Sequence, residues 1–345
     1  MIVFKSNYMD KKKISIDVIS FYKNIRFYKS DPSFIYRCLN LASVLKEKNI
    51  LGYLGHVKNY RPNSGTTHVF FLRPVYSLPY FFLVKKLKMM GVKIIADVDD
   101  LIIHPDFSIY SPAFVNGILS VSTISKNYNK NYKALSLCDH ICTSTEELAN
   151  KISLYFVDKG VTLLENCVFH SWGDKKNKGG VKNITYFSGT RSHNKDFLIA
   201  RNSLEQFINS HDDVILNITG CLDFNINIPK RNLIFSEKVS FLAYQSLVSQ
   251  SWVNISPLDI TPFNHCKSAL KVIEAGFFGI PTVCSPNPDV DKFRSLAAIE
   301  AGEDDWFFIL EDLYGKNINS KAIKEDVMKK ANIKKIYEKF YTEVL

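Results

Sequence analysis

Asn264-His265-Cys266-Lys267-Ser268-Ala269-Leu270-Lys271-Val272-Ile273-Glu274-Ala275-Gly276-Phe277-Phe278-Gly279-Ile280-Pro281-Thr282-Val283-Cys284-Ser285 is the stretch that decides the fold of this 345-residue chain. A polar loop opens a helix pattern carrying Lys267, Lys271 and Glu274. The pattern stops at glycine, and a proline then starts the β-branched strand Thr282-Val283. A helix N-terminus presents N–H groups that lack intrahelical acceptors and so attracts anions. Lys267 and Lys271 share one helical face and add positive charge there, and Glu274 reaches that face too. A carboxylate beside a phosphate site serves to bind hydroxyls, as a ribose diol requires. The plain alternative is a surface helix laced with Lys–Glu pairs.

Upstream, Tyr186-Phe187-Ser188-Gly189-Thr190-Arg191-Ser192-His193-Asn194-Lys195-Asp196-Phe197 reads as an apolar strand, a glycine turn, a polar loop and a helix start. Glycine permits close backbone approach to a ligand, and Arg191 and Lys195 are candidates for phosphate oxygens. An ordinary strand-to-helix turn is the alternative. His193 and His265 sit in these two loops, within reach of a phosphate. Strands are predicted at 184–187, 214–219, 233–235, 253–255 and 281–284, with helices between them.

The first half alternates in the same way. A helix is predicted over 34–48, a strand over 67–72, a helix over 80–90 capped by Gly91, and strands at 92–96, 140–143 and 161–164. Ser144-Thr145-Glu146-Glu147 opens another helix. The Lys-, Gly- and Asn-rich segment 170–183 predicts a linker. Two strand–helix series across a linker predict two doubly wound α/β domains. The tail, 321–344, reads as one basic amphipathic helix.

The strand at 92–96 runs into Asp97-Val98-Asp99-Asp100 and delivers three carboxylates to the strand end, where α/β folds bind ligands. An Asp-x-Asp there fits a metal–diphosphate site, the nucleophile and acid of a haloacid-dehalogenase-type phosphatase, or a structural cap. Leu101 stands where the phosphatase motif carries Thr or Val. His104 follows as a loop histidine.

Together these stretches resemble the GT-B glycosyltransferases, in particular family four of the bacterial polysaccharide type. Glu274-Ala275-Gly276 and Gly279-Ile280-Pro281 match its nucleotide-sugar signature. Phe187-Ser188-Gly189-Thr190, His193-Asn194 and Asp196-Phe197 resemble the first loop of its C-terminal domain. Val239 and the strand ending near Pro257 resemble its base-pocket segment. Asp97-Val98-Asp99-Asp100-Leu101 resembles an acidic cluster of its N-terminal domain. One departure stands out: where the family carries a first glutamate, eight residues before the second, this chain has Cys266.

The resemblance implies an α/β GT-B fold with two Rossmann-like domains facing a central cleft. Residues 1–175 would form the acceptor side, 176–320 would bind the nucleotide sugar, and a C-terminal helix within 321–345 would return to the N-terminal domain. It implies donor contacts from Gly189, Thr190, Arg191, Lys195, Lys267, Ser268, Lys271 and Glu274. It implies transfer of a sugar to a glycan or lipid-linked acceptor in surface polysaccharide synthesis (capsule or lipopolysaccharide). It implies retention of configuration, which would need no general base; inversion would draw on Asp99 or Asp100. A nucleotide sugar is the co-substrate, with no essential cofactor or metal expected. A sugar-nucleotide epimerase of the same fold, or a phosphatase using Asp97 and Asp99, are the alternatives.

A net charge of +10 suits phosphorylated substrates or an anionic membrane surface. The basic residues are spread along the chain rather than gathered in a stripe, which argues against nucleic acid as a partner. No apolar run approaches the ~20 residues of a membrane span, and the start lacks a secretory apolar region. The expectation is a cytoplasmic protein, peripheral at the inner face of the membrane. Seven scattered cysteines predict reduced thiols. Cys138-Asp139-His140-Ile141-Cys142 lacks the second ligand pair of a zinc site.

Overall fold

The structure is a computed structural model that describes residues 13–173, 175, 181–189 and 194–345. Its short apolar runs become strands of two parallel sheets. The first holds β1 (Ile16–Ser20), β2 (Leu51–His56), β3 (His68–Leu72), β4 (Lys93–Val98), β5 (His140–Thr143) and β6 (Gly160–Leu163), in the order β2-β1-β3-β4-β5-β6. The second holds β7 (Lys182–Ser188), β8 (Val214–Gly220), β9 (Leu233–Ser236), β10 (Val253–Ser256), β11 (Thr282–Cys284) and β12 (Ala298–Glu300), in the order β12-β11-β10-β7-β8-β9. Strand order reverses between β1 and β3 in one sheet and between β7 and β10 in the other. Open α/β sheets bind ligands at the C-terminal ends of the strands flanking such a reversal.

Helices α1 (Asn40–Glu47), α2 (Leu78–Met89), α3 (Pro112–Val115), α4 (Val121–Ser136) and α5 (Glu146–Tyr155) accompany the first sheet. Helices α6 (Asn194–Ser210), α7 (Phe241–Val248), α8 (Pro262–His265), α9 (Leu270–Phe277) and α10 (Trp306–Tyr314) accompany the second. Local chemistry sets their ends. Thr145 caps α5 by accepting from Leu148 N–H, and Gly91 ends the turn after α2 with φ +72°. A π-helical turn, Phe34–Leu39, runs directly into α1, so the helix predicted over 34–48 is present with a wider first turn.

The first sheet is covered on both faces. Val69, Phe71, Ile94 and Ala96 meet Tyr80, Val84, Leu87, Ile124 and Leu148 on one side. Ile16, Val18, Phe70, Leu72 and Ile95 meet Leu41, Leu45, Ile336, Tyr337 and Phe340 on the other. Burial on both faces explains why such strands read as continuous apolar runs. β1, β2 and β12 are absent from the predicted strands; β1 is interior to its sheet and buried along its whole length, although Ile14-Ser15-Ile16-Asp17-Val18 alternates into it.

The tail corrects the expectation of one helix. It forms α11 (Ser320–Lys330) and α12 (Ile333–Glu343), parted at Ala331-Asn332. Asn332 caps α12 by accepting from Lys335 N–H at 3.2 Å, a role that asparagine fills better than a helix interior. α11 stays with the second sheet, where Ile323 and Val327 pack on Val272, Ile273 and Phe277. Only α12 crosses back, setting Phe340 against Phe70 at 5.9 Å between ring centroids. The expected linker also differs at its start: Trp172 is buried among Tyr36, Phe241, Phe277 and Phe278, in a cluster shared by both halves.

Candidate active site

The C-terminal ends of both sheets open on one cavity of about 660 Å³. From the first sheet come Asp31 and Tyr36 (following β1), Arg73 (following β3), Asp99 and Asp100 (following β4) and Asn166 (following β6). From the second come Gly189, Gly220, Lys238, Pro257, Lys267, Ser268, Lys271 and Glu274. Gly220 must be glycine: its φ is +126°, and a Cβ there would collide with the Ser188 carbonyl oxygen.

The wall from the second sheet is basic. Lys267 lies in the loop before α9 rather than on the helix, as its sequence spacing had suggested, yet it and Lys271 both line the cavity. Burial pushes the Lys271 ammonium down from its ordinary value, against the pull of Glu274. Its Nζ donates to the Phe187 carbonyl at 2.5 Å. Ser268 Oγ accepts from Asn166 at 2.7 Å, and Ala269 N–H donates to Asp289 at 2.7 Å. The first-turn N–H groups of α9 have no intrahelical acceptors and lie beside the cavity-lining Leu270 and Lys271.

Glu274 is buried on the same helix, and each of its oxygens accepts a tyrosine hydroxyl. Tyr36 donates to Oε1 and Tyr244 to Oε2, both at 2.5 Å. Burial pushes its carboxyl up, opposed by Lys271 and the two hydroxyls. Tyr36 belongs to the first half, so Glu274 is also a joint between the halves.

The opposite wall carries a charge cluster. The Arg73 guanidinium bridges Asp99 through Nε and Asp100 through Nη2, the latter at 2.6 Å. Arg73 holds a left-handed backbone, φ 48°, a conformation that costs about 1–3 kcal/mol for a non-glycine residue and gathers at functional sites. Burial pushes the Asp99 carboxyl up, but Arg73 outweighs it and holds it below the usual range. Asp31 goes the other way: burial raises it despite Arg73. Lys267 Nζ stands 3.8 Å from Asp100, across the cleft.

Several sequence candidates fall elsewhere. Asp97 is wholly buried and held by Arg37, Nε to Oδ2 at 2.9 Å and Nη2 to Oδ1 at 2.5 Å. A phosphatase nucleophile must be free to attack, so this alternative loses its first residue. Lys195 is exposed and lines a small crevice with Asn116, not the cavity; its N–H donates to Asn116 Oδ1 at 3.2 Å. Cys266 is buried in the apolar cluster of the first half. His104 stacks on Tyr155 at 4.2 Å, away from the cavity lining. Thr190, Arg191 and His193 lie outside the described residues. Among the described residues no group of three His, Cys, Asp or Glu side chains gathers to hold a metal ion, and the cysteines are free thiols. Sequence reasoning missed Asp31, Tyr36, Arg73, Gly220 and Tyr244. Arg73 had one usable signal, its position directly after the strand-like run that forms β3.

No protein-family model matches this sequence, and no curated protein does. Among solved structures the chain is similar to S. aureus TarM in complex with Fondaparinux, α-GlcNAc-glycerol and UDP, with a TM-score of 0.57 and 13% identity over 88% of this chain and 57% of that one. It is similar to the pneumococcal O-GlcNAc transferase GtfA in complex with UDP and GlcNAc, at 0.54 and 10%, over 88% and 58%. It is also similar to a putative UDP-N-acetylglucosamine 2-epimerase from Listeria monocytogenes, at 0.56 and 11%, over 96% and 98%. The chain thus spans little more than half the length of the first two. At these identities the likeness is one of fold: this chain has the GT-B fold, two doubly wound α/β units facing one cleft.

Proposed function

We propose that the protein is a glycosyltransferase that moves a sugar from a nucleotide donor to a glycan or lipid-linked glycan acceptor in surface polysaccharide synthesis. One observation carries this reading: a single cavity receives a lysine-bearing helix start from one sheet and the Asp31–Arg73–Asp99–Asp100 cluster from the other. Complexes of TarM and GtfA with UDP support a uridine nucleotide as the first donor to try. Residues 176–320 would bind the donor, 1–175 the acceptor, and the segment 321–345 would tie the two. Glu274 takes a hydroxyl of the ribose or the sugar. Lys267, Lys271, Ser268, the first-turn N–H groups of α9, and the loop of Gly189, Thr190 and Arg191 take the diphosphate; Lys195 stays near that loop.

Transfer breaks the bond between the anomeric carbon and the diphosphate, and the electron pair leaves with the phosphate oxygen. Lysines and helix N–H groups aimed at that oxygen stabilise the developing charge, often the largest catalytic contribution. The acceptor hydroxyl bonds to the anomeric carbon, and its proton passes to the departing phosphate if configuration is retained. Asp99, held low by Arg73, is a weak base, which supports retention. Asp99 and Asp100 then act by fixing Arg73 against the acceptor. If the product is inverted, Asp31, pushed up by burial, takes the base role. No metal or cofactor is required in this scheme.

Incubation with UDP-sugars, with and without glycan acceptors, tests the reading. Acceptor-dependent release of UDP supports it. The epimerase-titled neighbour, matched over nearly its whole length, keeps a second reading in view. Epimerised nucleotide sugar formed without acceptor would replace transfer by epimerisation. We also place the enzyme in the cytoplasm, peripheral to the membrane, where a lipid-linked acceptor lies. The net charge of +10 supports that placement, and no helix among the described residues is long and apolar enough to cross a bilayer.

A further inference from the structure

Helix α2 carries apolar side chains on two opposite faces. Its sequence is Leu78-Pro79-Tyr80-Phe81-Phe82-Leu83-Val84-Lys85-Lys86-Leu87-Lys88-Met89. Tyr80, Val84 and Leu87 are buried and pack with the first sheet. Leu78, Phe82, Lys85 and Met89 recur at helical spacing on the other side. There Leu78 is 68% exposed, Phe82 63% and Met89 81%, with Phe81 packed edge-on to Phe82 at 5.7 Å. An ordinary surface helix turns polar residues outward. Single exposed apolar residues are common, but a contiguous stripe of them marks an interaction surface.

The charges around the stripe identify what covers it. Lys85, Lys86 and Lys88 are exposed, and α2 contains no acidic residue. Lys88 reaches Asp139 at 3.1 Å and remains 46% exposed. We propose that the outer face of α2 docks on an anionic lipid bilayer. Leu78, Phe82 and Met89 enter the boundary between headgroups and acyl chains, and the lysines meet anionic headgroups, the pattern of an interfacial helix. A second copy of the chain fits this face poorly, because a symmetric contact would bring like charges together. The tail is the weaker docking surface: Lys330 pairs with Asp326 at 2.7 Å, Lys339 approaches Glu165 at 3.9 Å, and Lys334 approaches Glu47 at 3.8 Å.

The docking has a functional consequence. Ser77, the cap of α2, lies four residues beyond Arg73, which lines the cavity. The helix therefore starts beside the cleft, and docking along it holds the cavity near the bilayer. Delivery of a lipid-linked acceptor in this way rests on the glycosyl-transfer reading; the docking itself does not.

Co-sedimentation with phosphatidylglycerol-containing and pure phosphatidylcholine vesicles tests the proposal at low salt. The wild type should bind the anionic vesicles and not the neutral ones. K85A/K86A should weaken that binding about thirtyfold, at about 1 kcal/mol per lysine. L78S/F82S should weaken it tenfold or more, while K329A/K335A on the tail should leave it within twofold. Each variant should keep its melting temperature and its affinity for UDP, since none of these residues lines the cavity. Undiminished vesicle binding by K85A/K86A and L78S/F82S overturns the proposal. So does a concentration-dependent dimer in sedimentation velocity that L78S/F82S abolishes, which gives the face to a second copy. Failure to bind any nucleoside diphosphate or nucleotide sugar of a panel, with vesicle binding intact, overturns the glycosyl-transfer reading and leaves the docking standing.

Discussion

Substituting Asp97 with alanine strands a guanidinium in the protein core. Arg37 is 1% exposed and Asp97 0%, and the pair is joined twice, at 2.9 and 2.5 Å. Arg37 Nη1 also donates to the Leu164 carbonyl at 2.5 Å and to Asn166 Oδ1 at 3.2 Å, and these neutral acceptors do not replace a carboxylate. Breaking a buried pair from one side costs about 3–5 kcal/mol, because the remaining charge has lost its partner. At about 2–4 °C per kcal/mol for domains of this size, Asp97→Ala should melt about 6–20 °C below the wild type. Arg37→Met should fall as far.

The double variant Arg37→Met/Asp97→Leu removes both charges, and apolar replacements of buried pairs are often neutral or better. Leu164 and Asn166 lose a donor, so a residual loss of about 1–3 kcal/mol is expected. Thermal unfolding followed by tryptophan fluorescence, with urea titration as a check, measures all three variants. Wild-type stability in Asp97→Ala refutes the reasoning, and so does a double variant no more stable than the singles. Asp97→Asn with full stability but no activity would return Asp97 to the chemistry and revive the phosphatase alternative.

Glu274→Gln should weaken nucleotide-sugar binding by about 1.5–3 kcal/mol, the value of a hydrogen bond to a charged group, and unchanged affinity by calorimetry would remove Glu274 from the site. For pH, the sign follows from Lys271: burial lowers its pKa from 10.5, and a diphosphate favours the protonated ammonium. UDP affinity should therefore hold at low pH and fall as pH rises through that depressed value; a profile identical to that of Lys271→Met across about pH 7–10 would refute the assignment. Transfer should survive excess EDTA, since Lys267, Lys271 and the start of α9 supply positive charge. Complete loss on chelation, restored by magnesium or manganese, would point back to a metal at the Asp-x-Asp segment.

The wall from the second sheet was the more legible half of the cleft. Gly189, Lys267, Ser268, Lys271 and Glu274 all line the cavity, because a strand–loop–helix unit fixes neighbours in space that are neighbours in sequence. The wall from the first sheet depends on pairings that sequence does not display. Tyr36 meets Glu274 across 238 positions, and Arg37 meets Asp97 across 60. Read singly, the Asp97-Val98-Asp99-Asp100 string looks like one acidic motif. The end of the strand splits it: Asp97, still within β4, goes to the core and Arg37, whereas Asp99 and Asp100, just beyond the strand, turn to Arg73 and the cavity. The break in the tail was legible in principle, since Asn332 is a capping residue, but continuous lysine and isoleucine spacing hid it.

Cys266 shows how a departure from a motif is settled by packing. The side chain is fully buried with Phe263 in the apolar cluster of the first half, and the Cys266 carbonyl accepts the Thr145 hydroxyl at 2.9 Å. A glutamate held in that position would lose its hydration in an apolar setting, and burial of an unpaired carboxylate is paid back only by protonation or a counter-charge. The adjacent residue that does reach the cavity is Lys267, which faces Asp100 from the opposite wall. Thus the loop before α9 contributes positive rather than negative charge to the cleft, and the carboxylates available to hydroxyls there come from Glu274 on one side and Asp31, Asp99 and Asp100 on the other. If the protein transfers a sugar as proposed, recognition of that sugar is shared across the cleft and depends on the two halves being held together, as they are by Tyr36, Glu274 and Tyr244.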